Sequence, residues 1–239
     1  MGLNPGTTRD DVHQCLKRWD EGDNGILYLS RAYKLKPGSG WQVDAGVLHA
    51  PGSLVTYEPQ VNSDVFGMFQ SLVEGRPTPW DLLVKDVPPE YHHDLDYIID
   101  MLAWDENVNP EFAKDNAREP VPVRDPAEMA DAGYSEMWIT YSTSYYSAKE
   151  LTVLPGREAV IQDAAAYGMI LTQGRGSINV HDVATPSMIR FGEMTADELF
   201  VTADAAKAGV RIVNKSKTEN LVMLKHFGPG NPDSARFVK

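Results

Sequence analysis

One cysteine, Cys15, stands among 239 residues, so an internal disulfide framework and a cysteine-rich zinc site are both excluded. A lone thiol of this kind reads as a buried, inert side chain in a reducing compartment. Long apolar runs are missing too: no window approaches the roughly 18 residues a membrane span needs. The opening MGLNPGTTRDDVHQCLKRWD lacks the apolar core of a signal peptide. The expected setting is cytoplasmic, away from any membrane. Basic residues are few, with 22 Lys and Arg against 34 Asp and Glu and a formal net charge of -12. Because the acids are spread along the chain and not gathered in a tail, this balance argues against a phosphate-backbone surface and against nucleic acid as a partner.

What is present is a hydrophobic fraction of 42%, enough for one large β domain or two small ones. TTRDDVHQCLKRWDEGDNG predicts a short helix: Thr7 or Thr8 caps it, Asp10 and Asp11 suit its first turn, and Val12, Cys15, Leu16 and Trp19 share a face. From Ile26 the period changes to two, through Tyr33 and Leu35, until KPGSG breaks it. SLVTYEPQ alternates again and predicts a strand that places Glu58 among polar neighbours, and DVFGMFQSLV predicts a further strand, apolar on both faces. Residues 75–136 differ in kind, being rich in proline and tryptophan, with a helical patch in which Leu95, Ile98, Ile99 and Leu102 recur at helical spacing. His92 and His93 diverge by about 100 degrees on a helix, so they do not converge on one metal.

From Met137 the two-residue period returns in short, β-branched and aromatic runs separated by Gly, Pro and Asn turns, which predicts a sandwich or barrel. TADAAKAG inserts a brief helix capped by Thr202 and closed by Gly209, and QGRGSINV reads as a tight hairpin. The predicted organisation is a partial first β unit with an N-terminal helix over 1–74, a helical and irregular insertion over 75–136, and a second β unit over 137–239. The fold class is mainly β.

GWQVDAGVLH, residues 40–49, resembles a metal-binding motif of the cupin superfamily. The longer AGVLHAPGSLVTYEPQVNSD resembles type I mannose-6-phosphate isomerases, in which an Ala-Gly-x-x-His-Ala is followed by a glutamate nine residues on and a Ser-Asp five residues after that. His49, Glu58 and Ser63-Asp64 match this spacing. The segments YGMILTQGRGSINV, FGEMTADELFV and LVMLKHFGP look like the sparse C-terminal barrel of such proteins, its metal histidines absent. The resemblance implies cupin-type β-barrels in a bicupin-like, RmlC-like jelly-roll arrangement, with either an N-terminal truncation, a degenerate metal site or ligands that arrive from elsewhere. It also implies an aldose–ketose isomerase acting on a sugar or sugar phosphate, and a homodimer that hides exposed strand edges.

In that scheme a divalent metal, zinc or else manganese, iron or nickel, polarises the substrate oxygens while a carboxylate moves a proton between neighbouring carbons. His49 is then the metal ligand, Glu58 the acid/base or orienting group, and Asp64 a catalytic-site residue that holds the pocket by hydrogen bonds. The sequence departs from the family in two places. No His-x-His or Lys-Pro-Glu pattern precedes His49, although catalytic zinc sites use about three protein ligands. The arginine that follows the Ser-Asp pair in the isomerases is replaced by Met68. The competing expectation is a non-catalytic cupin that binds a sugar or serves a structural role with a degenerate metal site.

Overall fold

The computed structural model describes residues 1–52, 54–63, 65–188 and 191–237. Two units are distinguished: Met1–Pro37 with Trp41–Tyr57 and Asn62–Ala117, and Gly38–Gly40 with Glu58–Val61 and Arg118–Lys239. Among the described residues no helix is long and apolar enough to cross a membrane.

The first unit starts with helix α1 (Arg9–Lys17), where Thr8 accepts the Asp11 N–H and the Asp11 carboxylate returns to the Thr8 backbone. This reciprocal cap satisfies two otherwise orphaned donors. Val12, Cys15 and Leu16 face inward, and burial pushes the Cys15 thiol up. Four two-residue strands follow along the chain, β1 (Gly40–Trp41), β2 (Leu72–Val73), β3 (Arg76–Pro77) and, after the helices, β4 (Ala117–Arg118). Between them lie α2 (Trp80–Leu83), α3 (Leu95–Asp100), α4 (Trp104–Asn107) and α5 (Phe112–Asn116). Leu83, Val84, Val87, Ile98 and Ile99 pack with Val12, Leu16 and Trp19 in one apolar core. As far as Ala117, the proline-rich stretch shares a unit with α1 and supplies the other half of the core that α1 begins.

The strands expected across this region do not form. Ile26–Leu29 is a 3₁₀ turn, residues 54–60 are irregular, and among the described residues of DVFGMFQSLV only Leu72–Val73 is a strand; Ser53 and Asp64 lie outside the described residues. Leu54, Val55 and Val65 are exposed. Alternation marks a surface that fits a sheet, but a strand needs a neighbour to take its N–H and C=O groups.

The second unit is the β body. After β5 (Val121–Pro122) and α6 (Pro126–Asp131), capped by Asp125, come β6 (Tyr134–Thr140), β7 (Ser147–Val153), β8 (Glu158–Ile161), β9 (Tyr167–Gln173), β10 (Arg175–Ile178), β11 (His181–Ala184) and β12 (Glu198–Val201). Helix α7 (Ala203–Ala208), β13 (Val210–Asn214) and β14 (Leu221–Phe227) complete it. One sheet has the order β12-β9-β14-β7-β6-β5, the other β11-β10-β13-β8. Counting β7 to β14 as strands one to eight, the sheets read 6-3-8-1 and 5-4-7-2, which is the doubled Greek key of a jelly roll. The jelly-roll β fold expected from the sequence is thus present; a second barrel is not found among the described residues.

Every connection from β7 to β14 crosses between the sheets except the β10–β11 hairpin. QGRG is accordingly a corner and not the predicted hairpin turn, since β9 and β10 lie in different sheets. Gly174 takes φ +89 there, and a Cβ on it would stand 2.3 Å from the Asn220 carbonyl oxygen. Helix α7 forms as predicted, with Thr202 accepting the Ala205 N–H and Gly209 closing it. The two sheets enclose Leu151, Val153, Met169, Leu171, Ile212 and Met223 among others.

Candidate functional site

Three neighbouring strands of the larger sheet align Trp138, Lys149 and Lys225 in one row. The two-residue period puts Lys149 on the same buried face of β7 as Leu151 and Val153, and Lys225 on the same face of β14 as Met223 and Phe227. Glu136, two residues before Trp138, faces the same way. Asp163, on the β8–β9 connection, is held by its own N–H to the Ala206 carbonyl.

These four charges meet. Lys149 Nζ lies 2.6 Å from Asp163 Oδ1, and Lys225 Nζ lies 2.6 Å from both Asp163 Oδ2 and Glu136 Oε1. Their side chains are at most 5% exposed. Burying an ion costs several kcal/mol, about as much as good pairing geometry returns, and here two ammonium groups are matched by two carboxylates. Aromatic faces supplement the pairing: Lys149 sits 4.5 Å from the Trp138 ring centre and 5.3 Å from that of Phe227, and Lys225 4.9 Å from Tyr167. Burial, with the Asp163 and Glu136 carboxylates nearby, pushes the Tyr167 phenol well above its ordinary range.

A cleft of about 240 Å³ adjoins Lys149 and Trp138, lined also by Val123, Arg124, Gln162, Asp233 and Arg236. The carboxylate in its lining, Asp233, lies 3.8 Å from Lys149 Nζ and accepts the Ala164 N–H at 3.0 Å. Neither Arg124 nor Arg236 has a carboxylate partner among the described residues. A second hollow, of about 420 Å³, lies at β9, β12 and β14, and its lining is mainly apolar, with Glu198 and His226 its titratable groups. Burial pushes the His226 imidazole down, opposed by the Glu198 carboxylate.

The residues predicted from the isomerase-like spacing are placed elsewhere. His49 is exposed in an irregular loop of the first unit, its Nδ1 2.9 Å from the Val47 carbonyl oxygen. Buried Asn107 holds that loop, accepting the Leu48 N–H at 3.0 Å and donating to the Gly46 carbonyl at 2.7 Å. Glu58 is exposed, outside any strand, and belongs to the second unit's segments. Asp64 lies outside the described residues. No group of three His, Cys, Asp or Glu side chains able to hold a metal occurs among the described residues, so these residues do not meet the need of about three protein ligands.

Among solved structures, the chain is similar to one in Rhodobacter sphaeroides SigE in complex with the anti-sigma ChrR, at 9% identity and a TM-score of 0.30, covering 40% of this chain and 44% of that one. It thus spans less than half of that neighbour's length. An RmlC-like cupin from Shewanella frigidimarina gives 17% identity and a TM-score of 0.30, covering 43% of this chain and 81% of that one. A cupin 2 conserved barrel domain protein from Rhodopseudomonas palustris gives 15% and 0.32, with coverages of 47% and 72%. No protein-family model and no curated protein sequence matches the chain. The strand order, not these likenesses, defines the second unit as a jelly roll.

The buried network had a signal in the sequence. In SAKELTV and LVMLKHF a lysine occupies the phase of the apolar residues, Lys149 with Leu151 and Val153, Lys225 with Leu221 and Met223. A charged side chain on a core-facing phase requires a buried counter-charge. Glu136 and Asp163 are the partners, and nothing local in the sequence marks Asp163.

Proposed function

We propose that this chain is a cupin-type binding protein for a small anionic sugar derivative, a sugar phosphate or sugar acid, taken up at the cleft beside Lys149. The observation that carries the reading is the pair of arginines, Arg124 and Arg236, bordering that cleft without carboxylate partners among the described residues, in a chain of net charge -12. Arginine recognises phosphate and carboxylate through paired N–H donors. Trp138 adds an aromatic wall and Gln162 an amide for hydroxyl groups. The volume falls below the about 300–1,000 Å³ of drug-sized pockets, which suits a small metabolite. Lys149 contributes its charge from a fixed position because Asp163, Trp138 and Phe227 hold it.

A metal-dependent isomerase is the second reading, favoured by the spacing of His49, Glu58 and Asp64 and drawing on zinc, manganese, iron or nickel. Titration calorimetry with mannose 6-phosphate, run beside an aldose–ketose interconversion assay with each metal, separates the two. Binding without turnover is the expected result. Turnover that disappears in Glu58→Gln would replace the binding reading with the isomerase one, and absence of binding by any sugar phosphate or sugar acid would end the binding reading.

A further inference from the structure

Resting on the reading of the Lys149 cleft as an anion site, we infer that Asp233 is a built-in occupant of that site, and that the acid group of a ligand binds by displacing its carboxylate. Asp233 Oδ2 receives the Ala164 N–H at 3.0 Å and stands 3.8 Å from Lys149 Nζ. A backbone donor and an ammonium group thus converge on one carboxylate oxygen, which is what a ligand's phosphate or carboxylate would require. Lys149 is already paired at 2.6 Å with Asp163, whose side chain is 0% exposed, so Asp233, 37% exposed, is the surplus partner and the one free to turn toward solvent.

The backbone that carries Asp233 does not have to move with the side chain. Buried Asn231 donates to Ser147 Oγ at 3.1 Å, accepts the Asp233 N–H at 3.1 Å through its side-chain oxygen, and accepts from Ser234 Oγ at 3.0 Å through its carbonyl. At the other end of the turn, Phe237 packs edge-on against Trp138 at 5.7 Å and at a tilt against Tyr141 at 4.8 Å. A rotation of the Asp233 side chain therefore vacates the seat while the turn over the cleft stays anchored. A dianionic group arriving there meets Lys149, the Ala164 N–H and the two arginines. While Asp233 stays in place, the same group meets a like charge, which makes the aspartate an internal competitor.

The test is calorimetric titration of the full chain with mannose 6-phosphate, mannose and inorganic phosphate, in the wild type and in Asp233→Asn, Asp233→Ala, Arg124→Gln and Arg236→Gln, with thermal melts to establish folding. Both Asp233 variants are expected to bind mannose 6-phosphate on the order of tenfold more tightly, and each arginine variant on the order of tenfold more weakly. Phosphate alone should show the same ranking, since the acid group is what displaces Asp233. Wild-type binding with an unchanged or raised Kd in both Asp233 variants would overturn the displacement while leaving the cleft intact. Binding indifferent to both arginines, or no binding of either anion in any variant, would remove the cleft reading and this inference with it.

Discussion

The two units of this protein solve the problem of a core in opposite ways. In the first, short helices cover an apolar interior of Leu, Val, Ile and Trp side chains, with Trp19 and Trp80 meeting edge-on at 5.2 Å. Two of its buried polar residues, Asn24 and Asn107, spend their side-chain bonds on backbone. In the second, the jelly roll carries three charged side chains on the inner face of one sheet and a fourth, Asp163, on the β8–β9 connection, beside an otherwise apolar core. Helices satisfy their own backbone and need only an apolar stripe to pack. A two-sheet sandwich presents alternate residues of many strands to one space, so distant charges can be brought into register there. The difference teaches where charge is stored in this chain: the described buried charged side chains lie in the second unit, whereas the polar side chains buried in the first are uncharged.

Lys225→Met should break the contrast most severely. It leaves Asp163 and Glu136 short of a cation in a buried setting, and the expected loss is about 3–5 kcal/mol in the stability of the second unit. Trp138 is the single tryptophan of that unit, so a form in which the other four tryptophans are replaced by phenylalanine reports its urea unfolding alone. Replacing Glu136, Lys149, Asp163 and Lys225 together by apolar residues of similar size should recover most of that loss and abolish anion binding. A quadruple variant that still binds mannose 6-phosphate as the wild type does would separate the network from the site.

A smaller effect is expected on the apolar side of the comparison. Ile98→Ala empties part of the first core and should cost about 2–5 kcal/mol through lost burial and a residual cavity. Because no charge is stranded, the loss should be insensitive to salt and should leave mannose 6-phosphate affinity unchanged. Denaturant curves at low and high ionic strength, with a binding titration, check both points.

The smallest effect concerns pH. Burial holds the His226 imidazole below its ordinary value of 6.5 in the folded protein, so the unfolded chain takes up a proton first as pH falls. The corresponding stability is complete above about 6.5 and is lost as pH drops through that value toward the lower folded one. Urea midpoints followed by Trp138 fluorescence should therefore fall between about pH 7.5 and 5.5, and fall less in His226→Gln. An equal fall in the variant would assign the acid sensitivity to other groups.

Local signals were legible where they were self-contained. The Thr8 cap, the Thr202 cap and its Gly209 stop, the buried face at Ile98 and Ile99, and the period-two runs after Met137 all appear where the residues place them. The strands read into 26–35 and 54–60 failed because alternation is a property of one segment and pairing is a property of two. The candidate site is legible only as two lysines on a core-facing phase, and its remaining members are hidden for the same reason. His49 and Glu58 form a spacing nine residues long, whereas Lys149, Asp163, Lys225 and Asp233 are separated by up to 84 residues and come together only through the sheet register and the β8–β9 connection.

Composition, caps and periodicity by themselves determined that this chain builds short capped helices, then a run of β-strands, with an acidic exterior and no disulfide to brace it. Those properties depend on neighbours within a few residues, over which backbone geometry is set by sterics and local hydrogen bonds. Tertiary structure alone decided that the strands close as a jelly roll, that two lysines turn inward to meet two acids, and that Asp233 rests where an anion would. Each of these outcomes depends on pairing between segments far apart in the chain, and the free energy of a buried charge is defined only once its partner is in place.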